Sequence, residues 1–261
     1  MKLVPKNSVE LQKMRDAGRL AAQVLDYITP FVVAGENTLA LDAKIEQFIK
    51  DNGAVSATIG YKGYKHASCI SLNDVVCHGI PSVQNVLKDG DILNIDVTVI
   101  LNGFYGDTSR MYWVGNVSET AKKLTRVTYD GMMAGINVIK SGLPLNEIGN
   151  AIERAVGPNG YGIVREYCGH GLGRKFHEDP MVLHYATHSP MSPKLRKGLT
   201  FTVEPMVNTG TWRTFTEDDG WTVRTADGTL SAQFEHSIAV TEDGVEILTE
   251  SPLGYTQPPY K

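Results

Sequence analysis

The chain has 261 residues, 21% of them charged, and a formal net charge of −4. That length can bury a core as one domain spanning 1–261, and the mild acidity gives no reason to expect nucleic acid as a substrate. No stretch approaches the roughly 20 apolar residues that cross a bilayer, and the first residues lack the apolar run of a signal peptide, so no membrane partner is expected. Cys69, Cys77 and Cys168 are odd in number and lack a paired spacing, which points to reduced thiols in a cytoplasmic compartment.

Asn7 or Ser8 can cap a first helix with Glu10 in its first turn. Leu11, Met14, Ala21, Val24, Leu25 and Ile28 follow a 3.6-residue period until Pro30 stops it. A second helix is predicted from about Thr38 to Lys50, burying Leu39, Leu41, Ile45, Phe48 and Ile49, and Asp51-Asn52-Gly53 ends it. Residues 58–81 read as a glycine-containing loop. Asp91 to Leu101 and Phe104 to Val114 then form a hairpin around Asn102-Gly103, a type I′ turn signal. Two more helices are predicted, about Glu119 to Ile139 and Asn146 to Val156. Strands follow near Tyr161–Glu166, Leu199–Val207, Trp221–Thr225, Ser231–Thr241 and Val245–Thr249. Two helices then strands, twice over, predict an α+β fold of two similar halves, with helices covering one face of a mainly antiparallel sheet.

Asp96, Asp107, Glu204 and Glu235 stand in or beside these strand-like runs, where apolar residues are the rule. Buried charge is costly unless it is paired or binds a metal. In a two-residue-turn hairpin, facing positions sum to 205, so Asp96 faces Ser109 and Asp107 faces Thr98. Both aspartates then share one face as diagonal neighbours, about 7–8 Å apart between backbones. His170 lies between Gly169 and Gly171, which free space for an imidazole ligand on an irregular loop. Oxygen donors with one histidine suit divalent ions, and carboxylates can bridge two of them. Any one of these acids alone would read as a capped or edge-strand residue. Four together, with His170, predict a two-metal hydrolase.

Cys77-His78-Gly79-Ile80-Pro81, Asn94-Ile95-Asp96-Val97, Gly106-Asp107-Thr108-Ser109, Gly169-His170-Gly171, Phe176-His177-Glu178, Phe201-Thr202-Val203-Glu204-Pro205 and Gln233-Phe234-Glu235-His236 resemble, in order and spacing, the type I methionine aminopeptidases. The resemblance covers nearly the whole chain. It implies the pita-bread fold, two pseudo-symmetric halves around a dinuclear site, and removal of the initiator methionine when the second residue is small. Only 27 positions separate His177 from Glu204, leaving no room for the helical insertion of type II enzymes, and the start lacks the zinc-binding extension of many eukaryotic relatives. A bacterial-type enzyme is the expectation.

By the same resemblance, Asp96 binds one ion, His170 and Glu204 the other, and Asp107 and Glu235 bridge both. Two divalent ions (Mn, Fe, Co or Zn) would activate a shared water and polarise the scissile carbonyl, with Glu204 as general base. His177 is expected to donate toward the carbonyl oxygen, and His78 toward the peptide nitrogen side. Tyr61, Tyr64, Cys69, Phe176 and Trp221 match the family's methionine pocket, although each aromatic alone would read as core packing. His66, His184, His188 and His236 read as structural, with a supporting role beside Glu235 the alternative for His236. The expected partners are nascent polypeptide N-termini, with the ribosome near its exit tunnel, for a monomer in the cytoplasm.

The chain departs from the family at the pocket rim. Gly60-Tyr61-Lys62-Gly63-Tyr64-Lys65 stands where the family often has Gly-Tyr-His-Gly-Tyr-Pro, and Thr58 stands where a cysteine is common. The alternatives are an X-Pro aminopeptidase of the same fold, a non-catalytic peptide-binding relative, and a cysteine hydrolase using Cys168 or Cys77. Retention of all five ligands argues against the binding module.

Overall fold

The computed structural model describes residues 3–187, 189 and 191–260; His188 therefore lies outside the described residues. Helix α1, Ser8–Ile28, begins as its sequence predicts. The Asn7 side chain accepts from the Glu10 N–H, and the Glu10 carboxylate returns the bond to the Asn7 N–H. Helix α2, Thr38–Asp51, is capped by Asn37 and buries Leu41, Ile45 and Ile49. Leu39 and Phe48 are only half-buried, contrary to expectation. Phe48 instead stacks on Tyr27 of α1 at 4.4 Å between ring centroids, and the buried polar positions on α2 are Thr38 and Asp42. Helices α3, Glu119–Asn137, and α4, Glu147–Val156, complete the set.

A nine-stranded antiparallel sheet is the platform for everything else. Its centre is the hairpin Ile92–Leu101 and Phe104–Trp113, with the predicted register throughout: Asp96 faces Ser109, Thr98 faces Asp107 and Leu101 faces Phe104. Asn102 and Gly103 take φ of 52° and 76°, the left-handed pair that a type I′ turn requires. The strand Glu235–Val240 pairs with Phe104–Trp113, then Thr200–Val203, Gly169–Gly171 and Glu178–Val182 follow in order. Two segments read as loop are strands. Cys69–Leu72 adds to the hairpin edge, placing Cys69 opposite Asp96, and Val75–Cys77 joins a small separate sheet. Glycines and polar residues hid them, because short edge strands need no apolar alternation.

Side-chain alternation divides the hairpin into two faces. Leu93, Ile95, Val97 and Val99 join α1 and α2 in one core, with Tyr112. Phe201, Val203, Ile238 and Val240 join α3 and α4 in the other. The helices thus cover one face of the sheet in both halves, and Asn94, Asp96 and Thr98 point to the opposite face. Gly106 makes the helical side possible. A Cβ there would lie 2.3 Å from the carbonyl oxygen of Ala17, so α1 rests directly on the strand that carries Asp107. On the same side a buried ion pair, Arg110 Nη1 to Asp26 Oδ1 at 2.7 Å, ties hairpin to α1, and Ser251 donates to both Asp26 oxygens. Tyr260 closes this strap with a bond to the Met111 carbonyl.

Candidate metal centre

Three adjacent strands bring the acids together. Asp96 faces Ser109, and Ser109 faces Glu235 on the next strand, so Asp96, Ser109 and Glu235 form one row. Asp107, two residues before Ser109, shares that face. The strand Thr200–Val203 ends against His236, which sets Glu204 beside Glu235. His170 occupies the neighbouring short strand, rather than the loop expected for it, and the pairing slips immediately after it. Donor atoms of Asp107, His170 and Glu235 lie within 4.8 Å of one another. His170 Nε2 is 3.6 Å from Asp107 Oδ2 and 3.7 Å from Glu204 Oε1.

The polar contacts of this cluster define what it can hold. His170 Nδ1 lies 3.1 Å from the Gly171 carbonyl, which can only accept, so Nδ1 carries the proton. The Nε2 lone pair is therefore turned toward two carboxylates, an arrangement that asks for a cation between them. Thr98 donates to Asp107 at 2.7 Å and Thr202 to Glu204 at 2.6 Å. None of the four carboxylates pairs with a lysine or arginine among the described residues. Burial raises the Asp107 carboxyl to about 7 and pushes Asp96, Glu204 and Glu235 well above the usual range, reinforced for these three by repulsion from neighbouring carboxylates, Asp107 in each case. Burial also lowers His170 to about 3, keeping the imidazole neutral and free to ligate. Hard oxygen donors plus one neutral imidazole fit divalent metal.

A pH-dependence follows for metal-free protein. His78, His170, His184 and His236 have folded pKa values of about 3 to 4, below the ordinary 6.5, so they cost stability only as pH falls below that value. The carboxyls are shifted up, so the folded state binds more protons than the unfolded one and loses stability as pH rises through the folded pKa. Above pH 6.5 only the second slope remains. Melting temperature of metal-free protein should fall from pH 6.5 to 8.5, and a divalent ion should remove the slope. A flat metal-free curve would contradict the charge assignment.

The five residues line the floor of one cleft of about 970 Å³, with His78, His177 and all five pocket residues. One wall is Tyr61, Phe176 and His177, with Tyr61 and Phe176 centroids 5.0 Å apart and Phe176 and His177 at 4.4 Å. The other is Tyr64, Trp221, His78 and Tyr167, in edge contacts of 4.9, 6.1 and 5.4 Å. Buried Cys69 adds to the lining beside Tyr64. The Tyr61 hydroxyl lies 3.1 Å from His177 Nδ1. With the hydroxyl as donor, Nε2 keeps its proton for the cleft. His78 holds a left-handed φ of 56° and burial lowers it to about 4. Such strain at a cleft residue is common where position matters more than backbone comfort.

Several contributors were not singled out from the sequence. Thr98, Thr202 and Gln233 hold the carboxylates, and His184 Nε2 accepts the Glu204 N–H at 3.1 Å. Thr98 was findable, since the hairpin register sets it opposite Asp107. The contact of His184 with Glu204 crosses 20 positions and has no local signal. His66 bonds buried Asp42, and His236 bonds Thr249, in keeping with structural roles. The thiols are free, and burial raises Cys168 to about 11, which removes it as a nucleophile near neutral pH.

A curved antiparallel sheet carrying clustered acids and a lone-pair imidazole under an aromatic cleft defines a metal-binding hydrolase. The sequence model of metallopeptidase family M24 matches residues 12–242, and the chain belongs to that family. It is 51% identical over 245 residues to a methionine aminopeptidase of Escherichia coli (strain K12), covering 94% of this chain and 92% of that one. The crystal structure of methionine aminopeptidase from Rickettsia prowazekii superposes with a TM-score of 0.93 at 48% identity, covering 95% of this chain and all of that one. An Xaa-Pro dipeptidase from Bacillus anthracis superposes at 0.76 and 24% identity, covering 95% of this chain and 62% of that one; that likeness shows the shared pita-bread fold alone.

Proposed function

We propose that the protein is a metalloaminopeptidase that removes the initiator methionine from new polypeptides when the second residue is small. The observation that carries this reading is the convergence of five donors and two aromatic walls on one cleft, in a chain half identical to methionine aminopeptidases. Asp96 would hold one divalent ion, His170 and Glu204 a second, and Asp107 and Glu235 both. Bound there, such ions would acidify a shared water and polarise the scissile carbonyl. Glu204 accepts the water's proton. Thr202 donates to its Oε1 at 2.6 Å and holds the carboxylate in place for that role.

His177 donates from Nε2 toward the carbonyl oxygen as charge develops there. His78, on the opposite wall, orients the peptide nitrogen side of the bond. Tyr61, Tyr64, Cys69, Phe176 and Trp221 enclose the thioether side chain in aromatic and sulfur contacts suited to it. The ions would be Mn, Fe, Co or Zn, chosen by availability as much as by affinity. The working setting would be a cytoplasmic monomer meeting nascent N-termini close to the ribosome exit tunnel.

The test is a peptide panel on demetallated protein reconstituted one metal at a time. Met-Ala-Ser should be cleaved only after metal is added, and chelation should abolish turnover. Preference for an X-Pro peptide would replace the reading with the alternative of the same fold. Inactivation by thiol alkylation with indifference to chelators would replace it with a cysteine hydrolase.

A further inference from the structure

Lys62 has no part in the chemistry above, yet it stands at the mouth of the cleft. It lies in the short turn Tyr61–Gly63 with φ of 47°, a conformation uncommon for a residue with a side chain. Gly60 and Gly63 on either side are also left-handed, with open space around each. The turn therefore projects from the wall, and Lys62 is exposed on it. Its ammonium sits 5.4 Å from the centre of the Tyr61 ring, and Tyr61 bonds His177.

Glu10, Glu166, Glu178 and Asp179 also line the cleft, and the first and third of them are held in ion pairs. Glu178 pairs with Lys6 at 2.7 Å, and Glu10 caps α1 and meets Arg174 at 3.4 Å. Lys62 forms no ion pair with any described carboxylate, and its contact with a ring face leaves ammonium donors directed to solvent. Lys175 adds positive charge to this side of the mouth. On the reading proposed above, a bound peptide runs out of the cleft between the His177 wall and the His78 wall. It advances about 3.3 Å per residue when extended, so the side chain of its third residue can meet a lysine that lines the cleft.

We propose that Lys62 is a specificity-determining residue that favours substrates with an acidic third residue and disfavours those with a basic one. This rests on the aminopeptidase reading and adds a substrate class to it. The attraction acts in high dielectric, so its size is that of a surface pair, and it is screened by salt.

The experiment compares kcat/KM for Met-Ala-Glu-Ser, Met-Ala-Gln-Ser and Met-Ala-Lys-Ser with metal-loaded protein. The expected order is Glu, Gln, Lys, with the Glu-to-Lys ratio about threefold to tenfold at low salt and shrinking toward unity near 1 M salt. Lys62→Gln should bring the ratio below about twofold, and Lys62→Arg should keep it. Lys65→Gln removes the same charge from a residue that does not line the cleft, and should keep the ratio as well. Equal rates for the three peptides, an unchanged ratio in Lys62→Gln, or equal losses in Lys62→Gln and Lys65→Gln would overturn the proposal. Cleavage of none of the three would overturn the aminopeptidase reading, and the proposal with it.

Discussion

Asp107→Asn and Glu235→Gln should each lower kcat/KM for Met-Ala-Ser by more than about 10³-fold, or roughly 4 kcal/mol of transition-state stabilisation. Both substitutions keep the shape of the side chain and remove one charge from the centre of the cluster. Asp107 and Glu235 lie on adjacent strands and share one face, and an oxygen of each falls within 4.8 Å of the other and of a His170 ring nitrogen. Loss of either charge therefore weakens both ion positions at once. Metal content, measured after gel filtration, should fall along with activity. The fold should survive. Each carboxyl is buried without a cationic partner, so the amide relieves repulsion, and the metal-free variant should melt at or above the metal-free parent at pH 8. Near-normal turnover in either variant would sink the bridging assignment.

His177→Ala is expected to lower kcat by about 10²-fold with metal content retained. His177 stands over the cluster, its ring 4.1 Å from that of His170, but its Nδ1 is engaged by the Tyr61 hydroxyl. Only Nε2 is left for the cleft, and as a donor it suits developing negative charge on the carbonyl oxygen. Tyr61→Phe, which removes the partner of Nδ1, should show a smaller fall of the same kind. Substantial metal loss in His177→Ala would show that a ligand had been mistaken for a donor to the carbonyl oxygen.

Much of the site was legible because it is built on a hairpin. A two-residue turn with Asn102-Gly103 sets the register, and the register alone puts Asp96, Asp107 and Thr98 on one face. The helix boundaries were legible for a similar reason, since caps such as Asn7 with Glu10 act within one turn. Reading failed where the determinant was distant. Val75–Cys77 pairs with Val223–Thr225, and nothing near either segment announces the other. The expected strand from Leu199 to Val207 is broken at Glu204 and Pro205, and that from Ser231 to Thr241 at Phe234. Both breaks fall at or beside a proposed ligand, where the backbone leaves the ladder to present a carboxylate.

Sequence by itself determined the helices, the central hairpin with its shared acidic face, and a set of donors whose chemistry suits divalent metal. These depend on short-range physics: capping, turn geometry and the two-residue alternation of a strand. Tertiary structure decided which donors meet. The row Asp96, Ser109 and Glu235, the tautomer of His170 set by Gly171, and the hold of His184 on the Glu204 backbone all require strands far apart in the chain to lie side by side. It also decided the rim, where Lys62 stands at the cleft mouth beside Tyr61, because the direction a projecting turn takes is set by the walls it joins and not by its own residues.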